Sequence, residues 1–232
     1  MTLRRGESLL LTVGIPVLLL VFFSSVSVVA LEGRRVDFVT PGILSLCVMS
    51  TALVALSIAT GFERSYGVLK RLFVTPLGRG RLLGAKVVGV LVVIAIQAVV
   101  ICAVAALLGW HPNTGAATAA CAVAATLLAA VAFGAIGLAM AGRLRAEANL
   151  AAANGLYLVL LLTGGMVVPF ARLPGAVATM AKLLPSGALT VALRDTLQHC
   201  AVPTLATWGV LAFWAVAASV LAATTFRFEP PR

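Results

Sequence analysis

Acidic residues are nearly missing from this sequence. Seven Asp and Glu stand against seventeen Lys and Arg in 232 residues, and the acids are scattered singly through polar connectors. A catalytic site built on convergent acids, histidines or a nucleophile with its base has little to start from. Histidine is scarcer still: His111 and His199 are the two present, and neither CxxC nor HExxH occurs, so no metal site is expected. No GxxxxGK[ST] phosphate loop appears either, so this chain does not bind ATP by the usual route. The four cysteines make no framework. Cys47, Cys102 and Cys121 lie in apolar runs, where cysteine behaves as a small hydrophobe. Cys200 sits in a connector without a neighbour, leaving open a pairing across a symmetric dimer.

Charge as a whole is also scarce. Charged residues make up 10% of the chain and hydrophobic ones 62%, where soluble domains carry about 25% charged. This is the composition of an integral membrane protein. A net charge of +10 would suggest nucleic acid in a soluble chain. Here the bases flank apolar runs, which points to membrane orientation and anionic headgroups, with no nucleic-acid partner. No polar block of about 50 residues is present to form a separate soluble domain.

What is abundant is apolar sequence in runs of roughly 20 residues, the length that crosses a bilayer. Six such spans are read at about 8–31, 39–61, 87–109, 115–141, 150–168 and 203–226, and none holds Asp, Glu, Lys or Arg in its interior. The first run follows Arg4 and Arg5 and ends in Val28-Val29-Ala30, a pattern similar to a secretory signal. It is longer than a signal core of about 7–15 residues, so it is read as a span. With both termini inside, twelve of the seventeen Lys and Arg fall on the cytoplasmic side. The positive-inside rule therefore places both ends in the cytoplasm. The fold class is all-α integral membrane, a single domain over residues 1–232.

Two connectors are unlike simple loops. Residues 61–86 carry Arg64, Lys70, Arg71, Arg79, Arg81 and Lys86 against one acid, Glu63. Residues 62–74 read as an amphipathic helix with an apolar stripe of Tyr66, Leu69 and Phe73. Pro76 ends it, and Gly78 and Gly80 turn the chain into the third span. Such a helix is either a headgroup-anchored connector or a docking helix for a cytoplasmic subunit, and the second reading is preferred. Residues 169–201 are broken by Pro169, Pro174 and Pro185 into helical pieces too short to span. Arg172, Lys182, Arg194 and Asp195 make this connector polar. It reads as an outer re-entrant helical hairpin between spans five and six.

The order PGILSL…FERSYGVLKRLFVTPLGRGRLLGAK resembles the ABC-2 family of ATP-binding-cassette export permeases, notably the daunorubicin-resistance type. In that family a coupling helix follows the second span. The matching positions here are Glu63, Arg64, Gly67, Lys70, Arg71, Leu72, Thr75-Pro76, Arg79 and Arg81. The later GGMVVPFARLP…LLPSGALTVALRD is similar to the family's outer hairpin.

The resemblance implies a permease subunit of an exporter without its own ATPase activity. Its partners would be two cytoplasmic ATPase subunits, which hold ATP and Mg, and a second six-span subunit, identical or paralogous. It implies a path at the subunit interface faced by spans two and five, which nominates Ser50, Ser57 and Thr60 in one and Asn154, Tyr157 and Leu161 in the other. A path without charge suits hydrophobic or amphipathic cargo, drug-like or lipid-like, leaving a bacterial cell through its plasma membrane. A secondary ion-coupled transporter would need ligands at broken helices near the midplane. That reading and a non-transporting assembly subunit are the alternatives carried forward.

Overall fold

The computed structural model describes residues 6–25, 34–67, 78–166, 169–172 and 174–225. Every regular element among them is helical: α1 (Gly6–Ser25), α2 (Arg35–Met49), a π-helical turn (Ser50–Ala55), α3 (Leu56–Ser65), α4 (Gly78–Leu107), α5 (Ala116–Arg143), α6 (Ala146–Thr163), a 3₁₀ turn (Phe170–Arg172), α7 (Gly175–Leu183), α8 (Pro185–Gln198) and α9 (Leu205–Thr225). Five stretches are long and apolar enough to cross a membrane: Arg35–Ser65, Gly84–Leu107, Ala116–Arg143, Ala146–Thr163 and Leu205–Thr225. In α1, Thr12–Ser25 is a shorter apolar segment. The protein is an all-α membrane protein, and its helices alternate in direction, so one end of the bundle carries the 61–86 connector and the other the hairpin.

The second span lies at the centre. Its α2 half packs against α1, α4, α5 and α8, and its α3 half against α5 and α6. Leu53, Met49 and Ala52 within it are fully buried. Helices in lipid gain little from apolar burial against one another, so close backbone approach matters more. α5 supplies it with Ala122, Ala125, Ala129 and Ala132 on its buried faces. A Cβ at Gly137 would stand 2.8 Å from the Leu53 carbonyl oxygen and 3.2 Å from Ser57 Cβ, so glycine there sets how near α5 comes to the centre.

The hairpin forms as the prolines suggest. Pro174 caps α7 at its start, Pro185 occupies the first turn of α8, and the two helices bend by 87° at the break between them. Proline lacks the donor that would continue the preceding helix and fits a first turn. Buried α8 then runs beside α2, α5 and α9.

The structure corrects the sequence reading of the 61–86 connector at its two ends, residues 68–77 lying outside the described residues. No separate helix starts at residue 62: the second span runs on without a break to Ser65. It ends there because Gly67 takes a left-handed φ of 68°, the conformation that terminates helices and that glycine adopts without strain. Gly78 and Gly80 do not form a turn; they open α4, which begins six residues before its apolar part at Gly84. Lys70, Arg71, Leu72 and Pro76 lie outside the described residues.

Candidate functional site

Where α3 emerges at the 61–86 end, four polar side chains on it reach three neighbouring elements. The Ser57 hydroxyl donates to Asn149 Oδ1 at 2.9 Å, and Asn149 Nδ2 returns a bond to the Ser57 carbonyl at 2.9 Å. Both residues are fully buried. Gly61 makes room for this pair: a Cβ on it would lie 2.8 Å from Asn149 Nδ2. One turn on, Lys86 Nζ at the start of the apolar part of α4 donates to Thr60 Oγ1 at 3.0 Å and pairs with Glu63.

Arg64 completes the set. Its side chain is 2% exposed, and Nη2 donates at 2.7 Å to the carbonyl of Leu144, the residue that caps the end of α5. Terminal carbonyls of a helix have no partner within it and carry its negative dipole end, so a guanidinium there both satisfies and neutralises them. Residues 57–64 are thus hydrogen-bonded to α4, to the α5–α6 turn and to α6 together. This polar junction can pass a displacement of the 61–86 connector to all three of these helices.

A second polar chain crosses the bundle interior. Thr51 Oγ1, in the π-helical turn, bonds Gln97 Oε1 at 2.9 Å, and Gln97 Nε2 donates to the Thr12 carbonyl at 2.9 Å. Gln97 is fully buried. It therefore ties α1 and α4 to the widened turn of the central span, and wide turns of this kind recur at functional sites. At the hairpin end, Arg194 donates to the Gly165 carbonyl at 2.7 Å and lies with its guanidinium 3.9 Å from the centre of the Phe38 ring, a cation–π distance. Gln198 donates to the Asp37 carbonyl, so the hairpin is fastened to the other end of the same central span.

A model of the ABC-2 type transporter family matches residues 1–197, well over half of the chain. The chain belongs to the ABC-2 type transporter family. It is accordingly the membrane component of an ATP-binding-cassette transporter. A comparison with curated proteins returned no match. The matched region of the ABC-2 permease contains the whole polar junction and all but the last residue of α8.

Set on this geometry, the site residues named from sequence divide. Glu63 and Arg64 are both in the junction, and Gly67 is the residue that ends α3. Arg79 and Arg81 fall in the first turn of α4. Ser57 and Thr60 do not face an open path: both are fully buried in the single chain, and their hydroxyls are engaged by Asn149 and Lys86. Ser50 is half-buried and donates within its own helix to the Cys47 carbonyl at 3.1 Å. On α6, Asn154 is exposed and bonds the Leu150 carbonyl, whereas Tyr157 and Leu161 are half-buried against the core. Asn149 and Gly61 were not among the residues named, and Lys86 was counted among the bases of the connector without a role of its own. Asn149 carried one signal, an amide in the mostly Ala and Leu first half of its helix.

Proposed function

We propose that this ABC-2 permease is the membrane subunit of an exporter for hydrophobic or amphipathic compounds. A separate cytoplasmic ATPase drives it, present in two copies and holding ATP and Mg, and a second permease subunit, identical or paralogous, completes the path. It works in a bacterial plasma membrane with both termini and the 61–86 connector in the cytoplasm. Closure of the ATPase pair pushes on that connector. The junction at Ser57, Thr60, Glu63 and Arg64 then carries the movement into α4, α5 and α6 together, biasing the bundle between inward- and outward-open states.

The observation that carries this reading is the junction within a chain of the ABC-2 family: a basic connector entered from the last turns of α3, which are bonded to three other elements. Charged side chains stand near helix ends rather than mid-span, which favours uncharged or amphipathic cargo over ions. The test is purification of the tagged chain from its native membrane in mild detergent, with the mass and composition of the complex determined. Recovery with a P-loop ATPase at two-to-two stoichiometry is expected. Recovery of the chain without any nucleotide-binding partner overturns the exporter reading.

A further inference from the structure

Pro16 lies inside α1 and Pro41 inside α2. Proline brings no N–H, so each leaves the carbonyl four residues before it without its helical donor. Those carbonyls belong to Thr12 and Asp37. Both are met by a glutamine from another helix: Gln97 of α4 donates to Thr12, and Gln198 of α8 donates to Asp37. Each proline thus holds an acceptor open for a neighbouring helix, where a bare carbonyl in hydrocarbon would be costly.

Gln97 differs from Gln198 in that both ends of its amide are used. Its Oε1 accepts from Thr51, inside the π-helical turn and near the midpoint of the run Arg35–Ser65. One fully buried amide therefore joins the proline of α1 to the wide turn of the central span. Prolines and wide turns are the places where helices bend. α1 itself meets the bundle along a narrow seam. Over residues 12–25 it buries Pro16 and Leu20, one turn apart, while Ile15, Leu18, Val21 and Phe22 are exposed. Apolar contact gives helices little attraction in lipid, so the hydrogen bond at this seam sets where α1 sits.

We infer that Gln97 is a positioning residue of the transport cycle: it ties the proline of α1 to the wide turn, so that α1 moves with the central span when the connector is driven. This rests on the exporter reading for the source of the drive. Loss of either bond to Gln97 leaves α1 behind while the central span still moves.

The full chain and its ATPase are placed together in lipid nanodiscs, in a background with the four cysteines replaced by alanine. A nitroxide is attached at Tyr66→Cys, exposed at the end of α3, or at Leu18→Cys, exposed on α1 beyond the proline. The EPR line shape is compared with and without ATP and vanadate. Both labels should respond in the otherwise unsubstituted chain. With Gln97→Leu, the Tyr66 label should still respond and the Leu18 label should not. Thr51→Val keeps the side-chain volume and should give the same split, which decides the matter if Gln97→Leu does not fold. Pro16→Ala separates linkage from mere satisfaction of a carbonyl. Its new N–H claims Thr12 within α1 and withdraws the carbonyl from Gln97, so the Leu18 label should fall silent although the helix is strengthened.

A Leu18 label that responds undiminished in Gln97→Leu or Thr51→Val overturns the inference. So does one undiminished in Pro16→Ala, because Gln97 then does no more than satisfy the carbonyl. If Tyr66 responds and Leu18 is silent in the unsubstituted chain, the inference falls and the exporter reading stands. Silence of both labels there overturns the exporter reading and this inference with it.

Discussion

Gly61 is where a single hydrogen atom in place of a methyl group decides a contact. Alanine is favoured over glycine in a helix by about 1 kcal/mol, so Gly61→Ala would ordinarily strengthen α3. Here the added carbon meets the Asn149 amide and forces apart the reciprocal pair with Ser57, a loss of roughly 1–3 kcal/mol for buried groups left unsatisfied. Thermal unfolding in detergent should therefore show Gly61→Ala destabilising in the native background and stabilising once Asn149→Ala has removed the obstacle. The same sign in both backgrounds would separate Gly61 from Asn149. None of this was legible in the sequence. A glycine near a helix end reads as a terminator, and residues 61 and 149 belong to different spans whose pairing no local pattern records. Glu63 and Arg64 were legible, because charge at the end of an apolar run stands out against its surroundings.

Elements were read better than contacts. Apolar runs and prolines located the spans and the hairpin, since length, hydropathy and the missing proline donor act locally. The central span holds a local feature that the sequence does not show. A helical period of 3.6 puts Ser50 and Ser57 on one face, but the π-helical turn at Ser50–Ala55 takes up an extra residue and shifts the phase by about 100°. Thr51, within that turn, meets Gln97. Nothing in the run STALVA announces a wide turn. Deleting exposed Ala55 should collapse that turn to ordinary α-helix and leave Arg64 facing Leu144. Deleting Ala59, inside regular α3, should rotate everything beyond it by about 100° and break the junction. Thermal midpoints of the two deletions compare them directly: the Ala59 deletion is expected to be the less stable, and the reverse order would remove the π turn from this explanation.

For the whole molecule, orientation is the property most open to direct measurement. Cys47 is buried and Cys102 and Cys121 are half-buried, all within spans, whereas Cys200 is exposed at the hairpin end. Tyr66 is 73% exposed at the opposite end. A membrane-impermeant maleimide should label Cys200 on intact cells. With Cys200 replaced by Ser, a Tyr66→Cys chain should take label only after the membrane is opened. The opposite pattern would invert the molecule and with it the placement of the 61–86 connector beside a cytoplasmic ATPase.

The unbroken run of 31 residues from Arg35 to Ser65 makes a rod about 46 Å long at the usual rise per residue. Its two ends are fastened to different things, the junction at one and the Gln198 and Arg194 contacts at the other, while Gln97 grips its middle. Such a rod is a lever with its fulcrum near mid-membrane. A tilt of about 5° about that point carries each tip about 2 Å in opposite directions for a rod of this length. A push on the connector therefore reaches the far surface as motion of reversed sense, in the part of the chain that holds the hairpin.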